Sequence, residues 1–304
     1  MTVAADRPGR LADALRTGRF AVTAEIGPPR GADVTPVRES AALLRDWVDA
    51  ANVTDNQGAQ VRVSSFAGSV VALGEGLEPV MQMTCRDRNR IALQSDLLSA
   101  GALGIPNLVL MTGDRPGRGD HPDATAVFDL GSETLMAAAR QLRDEARLLS
   151  GRQISPPPRY LLGAVDAGAG VPDRLEQKVD GGAEFVQTQF VFDVAQFAAW
   201  MGQVRDRGLH TRCGILAGVG PIRSLRALEF MAAIPGVVIP EAFERRLRGV
   251  PADRVEAEGM AACAETVAAL REVPGVAGVH VMAVGFERGV PEILAAAGLG
   301  PVRT

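Results

Sequence analysis

Polar residues whose types could do chemistry recur at the ends of short apolar runs. They are Glu25, Thr54 and Asp55, Gln82 and Thr84, Thr112 and Asp114, Asp166, and Gln187 and Gln189. Carboxylates in such places are candidates for proton transfer or for stabilising a cation. Gln82, Thr84, Gln187 and Gln189 stand inside otherwise apolar runs, where an uncharged polar side chain needs a partner. A strand's two-residue period places Gln82 and Thr84 on one face, and Gln187 and Gln189 on one face. Position alone leaves plain alternatives open. Glu25 could form a surface ion pair, Asp114 could cap its Gly/Pro loop, and Thr84 and Gln189 could satisfy nearby backbone.

Other chemistries lack their residues. His121, His210 and His280 show no ligand spacing, so no metal site is expected. No G-x-S-x-G run supports a serine nucleophile. The stretch from Gly168 through Gly170 to Asp173 follows a strand, but Pro172 breaks the dinucleotide pattern. Cys85, Cys213 and Cys263 are odd in number and form no C-x-x-C pair, which argues against a disulfide framework or a zinc cluster.

The elements that must position the polar set alternate in type. Short apolar runs at 20–26, 50–53, 80–85, 107–111, 160–165, 184–191, 211–217 and 276–284 read as buried strands. Helical spacing follows them at 34–48, from about 69, and at 89–102, 132–149, 172–181, 194–207, 224–233, 240–247, 254–272 and 290–297. Near-continuous apolar strands belong to a parallel sheet covered by helices. Eight strand–helix units in about 280 residues favour a single α/β domain, a closed (β/α)8 TIM-type barrel spanning 1–304. Residues 1–18 are expected to be a flexible or helical extension. In such a barrel the active site lies at the C-terminal strand ends, where the polar set falls.

Composition narrows the partners. Hydrophobic residues make up 47% and charged residues 22%, enough apolar material for a large core. Aromatic residues are 4%, with Tyr160 the single tyrosine. The formal net charge of −4 comes without basic runs, which argues against nucleic acid and anionic membranes as partners. The first twenty residues are charged and lack a signal-peptide core, and the run 97–113 is broken by Ser99, Pro106 and Asn107. A cytoplasmic protein is expected, with monomer and homo-oligomer both open.

Several segments together resemble the methylenetetrahydrofolate reductase family. Glu25 to Arg30 resembles its E-x-x-P-P-R opening. Val53-Thr54, Met83-Thr84-Cys85, Gly113-Asp114, the run Lys178 to Ala183, the run Thr188 to Asp193, Gly214 to Leu216 and Ile239-Pro240 follow in the family's order. The likeness covers about 20–300 and implies an eight-stranded barrel. It further implies reduction of 5,10-methylenetetrahydrofolate to 5-methyltetrahydrofolate by NADH or NADPH. By resemblance, Glu25 and Asp114 are the catalytic positions, Glu25 as the acid that opens the five-membered ring. Asp114 and Gln189, with Gln187, are substrate positions. Thr54, Gln82, Thr84, Thr112 and Lys178 are cofactor positions. A carbon bridging two nitrogens accepts hydride poorly, and protonating one nitrogen opens the ring to a reactive iminium. A buried carboxylic acid can hold such a proton near neutral pH.

The chain also departs from the pattern. Gln82 stands for the histidine of P-H-x-T-C, and Thr112 for the arginine of R-G-D. Gly163 to Gly168 replaces A-Y-P-E-x-H without its Tyr or His, and the loop from Ala217 to Arg223 is longer. These losses remove phosphate pairing and ring stacking together. They lead us to expect that FAD is absent and that hydride passes directly from the nicotinamide, as in members of the family that work without flavin. The alternatives are the FAD-dependent reductase, and a pterin-binding barrel that is a methyltransferase or a subunit of a complex.

Overall fold

The computed structural model describes residues 3–302 apart from 235 and 284. Eight parallel strands close into one barrel in chain order. They are β1 (Ala21–Ile26), β2 (Ala50–Val53), β3 (Pro79–Thr84), β4 (Asn107–Met111), β5 (Leu161–Asp166), β6 (Phe185–Phe190), β7 (Gly214–Val219) and β8 (Val276–Val281). The expected barrel is therefore the observed one. β8 pairs with β1, with Thr23 beside His280, which leaves no open edge.

The helices are α1 (Arg10–Thr17), α2 (Thr35–Leu44), α3 (Ser65–Gly74), α4 (Arg90–Ala102), α5 (Ser132–Glu145), α6 (Asp173–Gly181), α7 (Val194–Asp206), α8 (Leu225–Ala232), α9 (Glu241–Arg248), α10 (Val255–Arg271) and α11 (Val290–Ala296). Several boundaries differ from the sequence reading, and three of them have a clear local cause. α3 starts four residues before the expected 69, because the Ser64 hydroxyl caps it by accepting from the Ala67 N–H. α5 stops at Glu145 because Ala146 turns left-handed, at φ 54°, and leads into a short bridge between Arg147 and Gln153. β7 starts at Gly214, since residues 209–211 form a 3-10 turn. Residue 284, the expected end of the last strand, lies outside the described residues.

Side-chain alternation sorts each strand into two faces. Outward residues such as Val22, Met81, Leu108, Val186 and Ile215 join the main core beneath the helices. Inward residues at the N-terminal strand ends form a separate apolar layer of Ala21, Ala50, Val80, Val109, Leu161, Phe185 and Leu216. Gly163 is required here: a Cβ on it would lie 2.3 Å from Cζ of the Phe185 ring, which fills the barrel at that level.

The helix α1 closes the floor of the barrel. Its Leu11, Ala12, Ala14 and Leu15 are buried in the same layer, with Leu11 fully enclosed. A leucine in such a site contributes on the order of 2–5 kcal/mol over alanine. The Glu78 carboxylate accepts from the backbone N–H groups of Arg10 and Leu11 at 2.5 and 3.2 Å, and from Asn107 Nδ2 at 2.8 Å. It therefore satisfies donors that the first turn of α1 leaves unpaired. Burial pushes this carboxyl above the usual glutamate range, with the three donors opposing the shift. Among the described residues, α1 thus covers the barrel at its N-terminal strand ends.

Candidate active site

Above the apolar floor the interior becomes polar. Thr23, Asn52, Gln82, Gln187 and His280 point inward from β1, β2, β3, β6 and β8, and all are buried. Asn52 and Gln187 face each other through a double amide bond. Asn52 Nδ2 donates to Gln187 Oε1 at 2.7 Å, and Gln187 Nε2 donates to Asn52 Oδ1 at 2.9 Å. Gln187 Nε2 also lies 3.3 Å from His280 Nδ1, and Thr23 Oγ1 lies 3.0 Å from the same nitrogen. A buried polar network of this kind is stable only when its members satisfy one another, as these do.

Glu25 sits on top of this layer, 5% exposed. Gln82 Nε2 stands 3.4 Å from its Oε2, and Gln57 Nε2 stands 3.5 Å from its Oε1. His280 Nε2 is 3.8 Å from Oε2. A second carboxylate, Glu287, comes from the short turn after β8. Burial pushes the Glu287 carboxyl upward, and the charge of Glu25 adds to that shift. No arginine or lysine pairs with Glu25 among the described residues. It is therefore not the surface ion-pair carboxylate of the plain reading.

The predicted residues divide between the mouth and the frame around it. Asp114 lies exposed in the loop after β4, and its carboxylate accepts no hydrogen bond among the described residues. Its backbone carbonyl is held 3.4 Å from Arg86 Nη1, so the loop-cap reading has no support. Gln189 is half-buried at the end of β6. Its Oε1 accepts from the Phe190 N–H at 3.0 Å, which leaves its amide nitrogen for another partner. Gln187, expected at the substrate, lies one layer lower and is fully engaged with Asn52 and His280.

The expected cofactor positions are mostly occupied by protein. Thr84 gives its hydroxyl to Asp55 Oδ2 at 2.9 Å, and its N–H meets the same oxygen at 2.8 Å. Asp55 also accepts from Ser65 and pairs with Arg88, so it locks β2 to β3. Thr112 bonds Ser132 at 3.3 Å. Lys178 Nζ bonds Asp166 Oδ2 at 2.7 Å and the Val165 carbonyl at 2.6 Å. Thr54 is buried, and its hydroxyl has no partner among the described residues.

The sequence reading passed over Thr23, Asn52, Gln57 and Glu287, and it set His280 aside with the other histidines. Alternation gave a signal for two of them, since Thr23 shares a strand face with Glu25, and Asn52 with Thr54. Gln57 and Glu287 sit in turns, where no periodicity marks them.

A sequence model described as methylenetetrahydrofolate reductase matches residues 10–298. The chain belongs to the methylenetetrahydrofolate reductase family. It is 25% identical over 228 residues to a 5,10-methylenetetrahydrofolate reductase of Pectobacterium carotovorum, covering 73% of this chain and 71% of that protein. It is 26% identical to a probable methylenetetrahydrofolate reductase (NADPH) of Caenorhabditis elegans, and 28% identical to methylenetetrahydrofolate reductase 2 of Saccharomyces cerevisiae. The matched region spans only 34% of the length of each of those two larger family members. Among solved structures, a Clostridium thermocellum protein described as binding two copies of 5-methyl-5,6,7,8-tetrahydrofolic acid superposes with a TM-score of 0.65. That match covers 94% of this chain and 97% of the other, and at 14% identity it shows the shared fold. No helix among the described residues is long and apolar enough to cross a membrane.

Proposed function

We propose that this chain reduces 5,10-methylenetetrahydrofolate to 5-methyltetrahydrofolate by taking hydride directly from NADH or NADPH. The observation that carries the reading is Glu25: a buried carboxyl at the open end of a family barrel, contacted by amides and a histidine and paired with no cation. A carboxyl in that setting can bring a proton into the site and deliver it to a ring nitrogen of the substrate. Ring opening then leaves a cationic iminium carbon. Asp114, with its carboxylate free at the rim, supplies negative charge to that cation. The free amide nitrogen of Gln189 can donate to an acceptor on the pterin edge.

The residues at the flavin positions do not fit a flavin. Lys178, one of the expected flavin positions, is already paired with Asp166. Thr112 and Gln82 replace the arginine and histidine of the family pattern, and each is bonded to a protein partner. Gly163 to Gly168 offers no aromatic ring to stack on an isoalloxazine. No step is therefore routed through FAD, and the nicotinamide nucleotide acts as a second substrate. A cytoplasmic enzyme fits this reading, since reduced folate and nicotinamide nucleotides are soluble substrates.

The test is NADH and NADPH oxidation with methylenetetrahydrofolate in flavin-free buffer, on protein whose visible spectrum shows no flavin. Turnover without added flavin is expected. Turnover that begins only when FAD is added would establish the flavin-dependent reductase instead. Folate binding with no nicotinamide oxidation under either condition would point to the methyltransferase or subunit alternative.

A further inference from the structure

The layer beneath Glu25 has a directional hydrogen-bond order. Gln187 is fixed by its double bond to Asn52, which accepts from one amide hydrogen of Gln187 and donates to its oxygen. The remaining amide hydrogen of Gln187 lies toward His280 Nδ1, 3.3 Å away, with Thr23 Oγ1 a second acceptor at 3.4 Å. Thr23 Oγ1 lies 3.0 Å from the same nitrogen, and its hydroxyl hydrogen can turn to it. Its other acceptor, the Val279 carbonyl, is farther at 3.4 Å. With the Gln187 amide on one side and the Thr23 hydroxyl turned to it on the other, Nδ1 is assigned as the acceptor of the ring. The ring hydrogen therefore sits on Nε2, which faces Glu25 Oε2 across 3.8 Å.

We infer that His280 is a positioning residue for Glu25, and that the Asn52–Gln187 amide pair exists to hold His280 in the Nε2–H tautomer. The inference rests on the proposed role of Glu25 as proton donor. When Glu25 releases its proton to the substrate, the carboxylate left behind gains an N–H dipole directed at Oε2. A movement of about 1 Å brings the pair to hydrogen-bond length. Gln57 faces Oε1 and Gln82 faces Oε2 at 3.5 and 3.4 Å, so the His280 N–H is the feature that distinguishes the two oxygens. His280 passes no proton and touches no substrate. It sets an N–H against Oε2 of the carboxylate that transfer leaves behind.

The charged groups that face this pair are few. Glu25 comes from β1 and Glu287 from the turn after β8, with its carboxyl pushed upward. The other elements contribute Thr23, Asn52, Gln82 and Gln187, which do not titrate. A change at His280 should therefore be read in the protonation behaviour of the carboxyl pair.

Two histidine variants separate positioning from packing. In His280→Asn the amide overlays the Nδ1 position and keeps a partner for Gln187 and Thr23, but presents nothing to Glu25. In His280→Gln the amide reaches the Nε2 position and keeps a donor for Glu25. The expected result is that His280→Asn lowers kcat roughly tenfold to a hundredfold, the scale on which losing an orienting partner matters. KM for the folate should stay near wild type, and the kcat–pH profile should shift. His280→Gln should recover most of kcat. Nitrogen-15 NMR of labelled histidine, with the His280 signal assigned by its loss in His280→Asn, should show an acceptor Nδ1 and a protonated Nε2.

A signal with the hydrogen on Nδ1 would overturn the inference whatever the activity proves to be. So would equal kcat and pH profiles for wild type and His280→Asn, or equal losses in both variants at unchanged melting temperature. Inactivity of the wild-type enzyme would overturn the proposed function instead, and the tautomer measurement would still decide the state of His280.

Discussion

At the residue scale, the proposed chemistry turns on one buried carboxyl, Glu25. Replacing Glu25 with Gln keeps the shape and the hydrogen bonds to Gln57 and Gln82 within reach, but removes the transferable proton. Glu25→Gln is expected to bind folate normally and lose at least about 100-fold in turnover, the usual contribution of a general acid. Near wild-type turnover in a steady-state assay would remove Glu25 from the mechanism. The proposed role of Asp114 is by charge rather than by proton transfer, since its carboxylate stands exposed and accepts no hydrogen bond among the described residues. Asp114→Asn keeps the Arg86 contact, which uses the backbone carbonyl, and removes only the charge. It should weaken pterin binding or slow hydride transfer in stopped-flow traces. Unchanged values for both would leave Asp114 without a role in the reaction.

At the element scale, the floor of the barrel depends on a buried acid. Glu78 caps α1 from the start of β3, and burial raises its carboxyl above the usual glutamate range. The folded protein therefore holds this proton at a pH where the unfolded chain has released it. Stability linked to Glu78 is fully present below the ordinary glutamate value and is lost as pH rises through the raised folded value. Urea unfolding across that window should show wild type losing stability relative to Glu78→Gln as pH rises. Parallel curves for the two proteins would refute the linkage. This cap was not legible in the sequence. The apolar stripe of α1 was too short to announce a docked helix, and Glu78 is 68 residues from its partner Arg10. The strands were legible because each is a short, mainly apolar run, as burial between the barrel interior and the helices requires. Their ends were less so, because caps such as Ser64 and turns such as Ala146 act through local geometry rather than hydrophobic period.

At the scale of the whole molecule, the barrel has one functional end. The floor is filled by Phe185 and α1, and in the proposed reaction both substrates use the mouth ringed by Glu25, Asp114 and Gln189. Direct hydride transfer requires the nicotinamide and the folate to occupy that mouth together. Initial-rate plots against NADH at several folate concentrations should give intersecting lines. Parallel lines would indicate a carrier that is reduced first and oxidised second, as in any two-stage exchange. The Lys178–Asp166 pair belongs to this scale as well. It joins α6 to β5.

The sequence by itself determined the alternation of eight apolar strands with helices, and so the barrel. It placed Glu25 at the end of an apolar strand and Asp114 in a loop at the same end of the barrel. It also recorded the loss of the family's histidine, arginine and aromatic residues at Gln82, Thr112 and Gly163 to Gly168. These are local features, and burial or period leaves a mark on neighbouring residues. Only the tertiary structure decided that Gln187 supports the site from below, that His280 faces Glu25, and that Thr84 and Lys178 are bound to aspartates. Asn52 meets Gln187 across 135 residues, and Gln187 meets His280 across 93. Such pairs form because barrel closure sets the stagger between strands, and stagger selects which inward side chains share a layer. A hydrogen bond between two layer-mates leaves no period along the chain, so their chemistry becomes readable only once the barrel is closed.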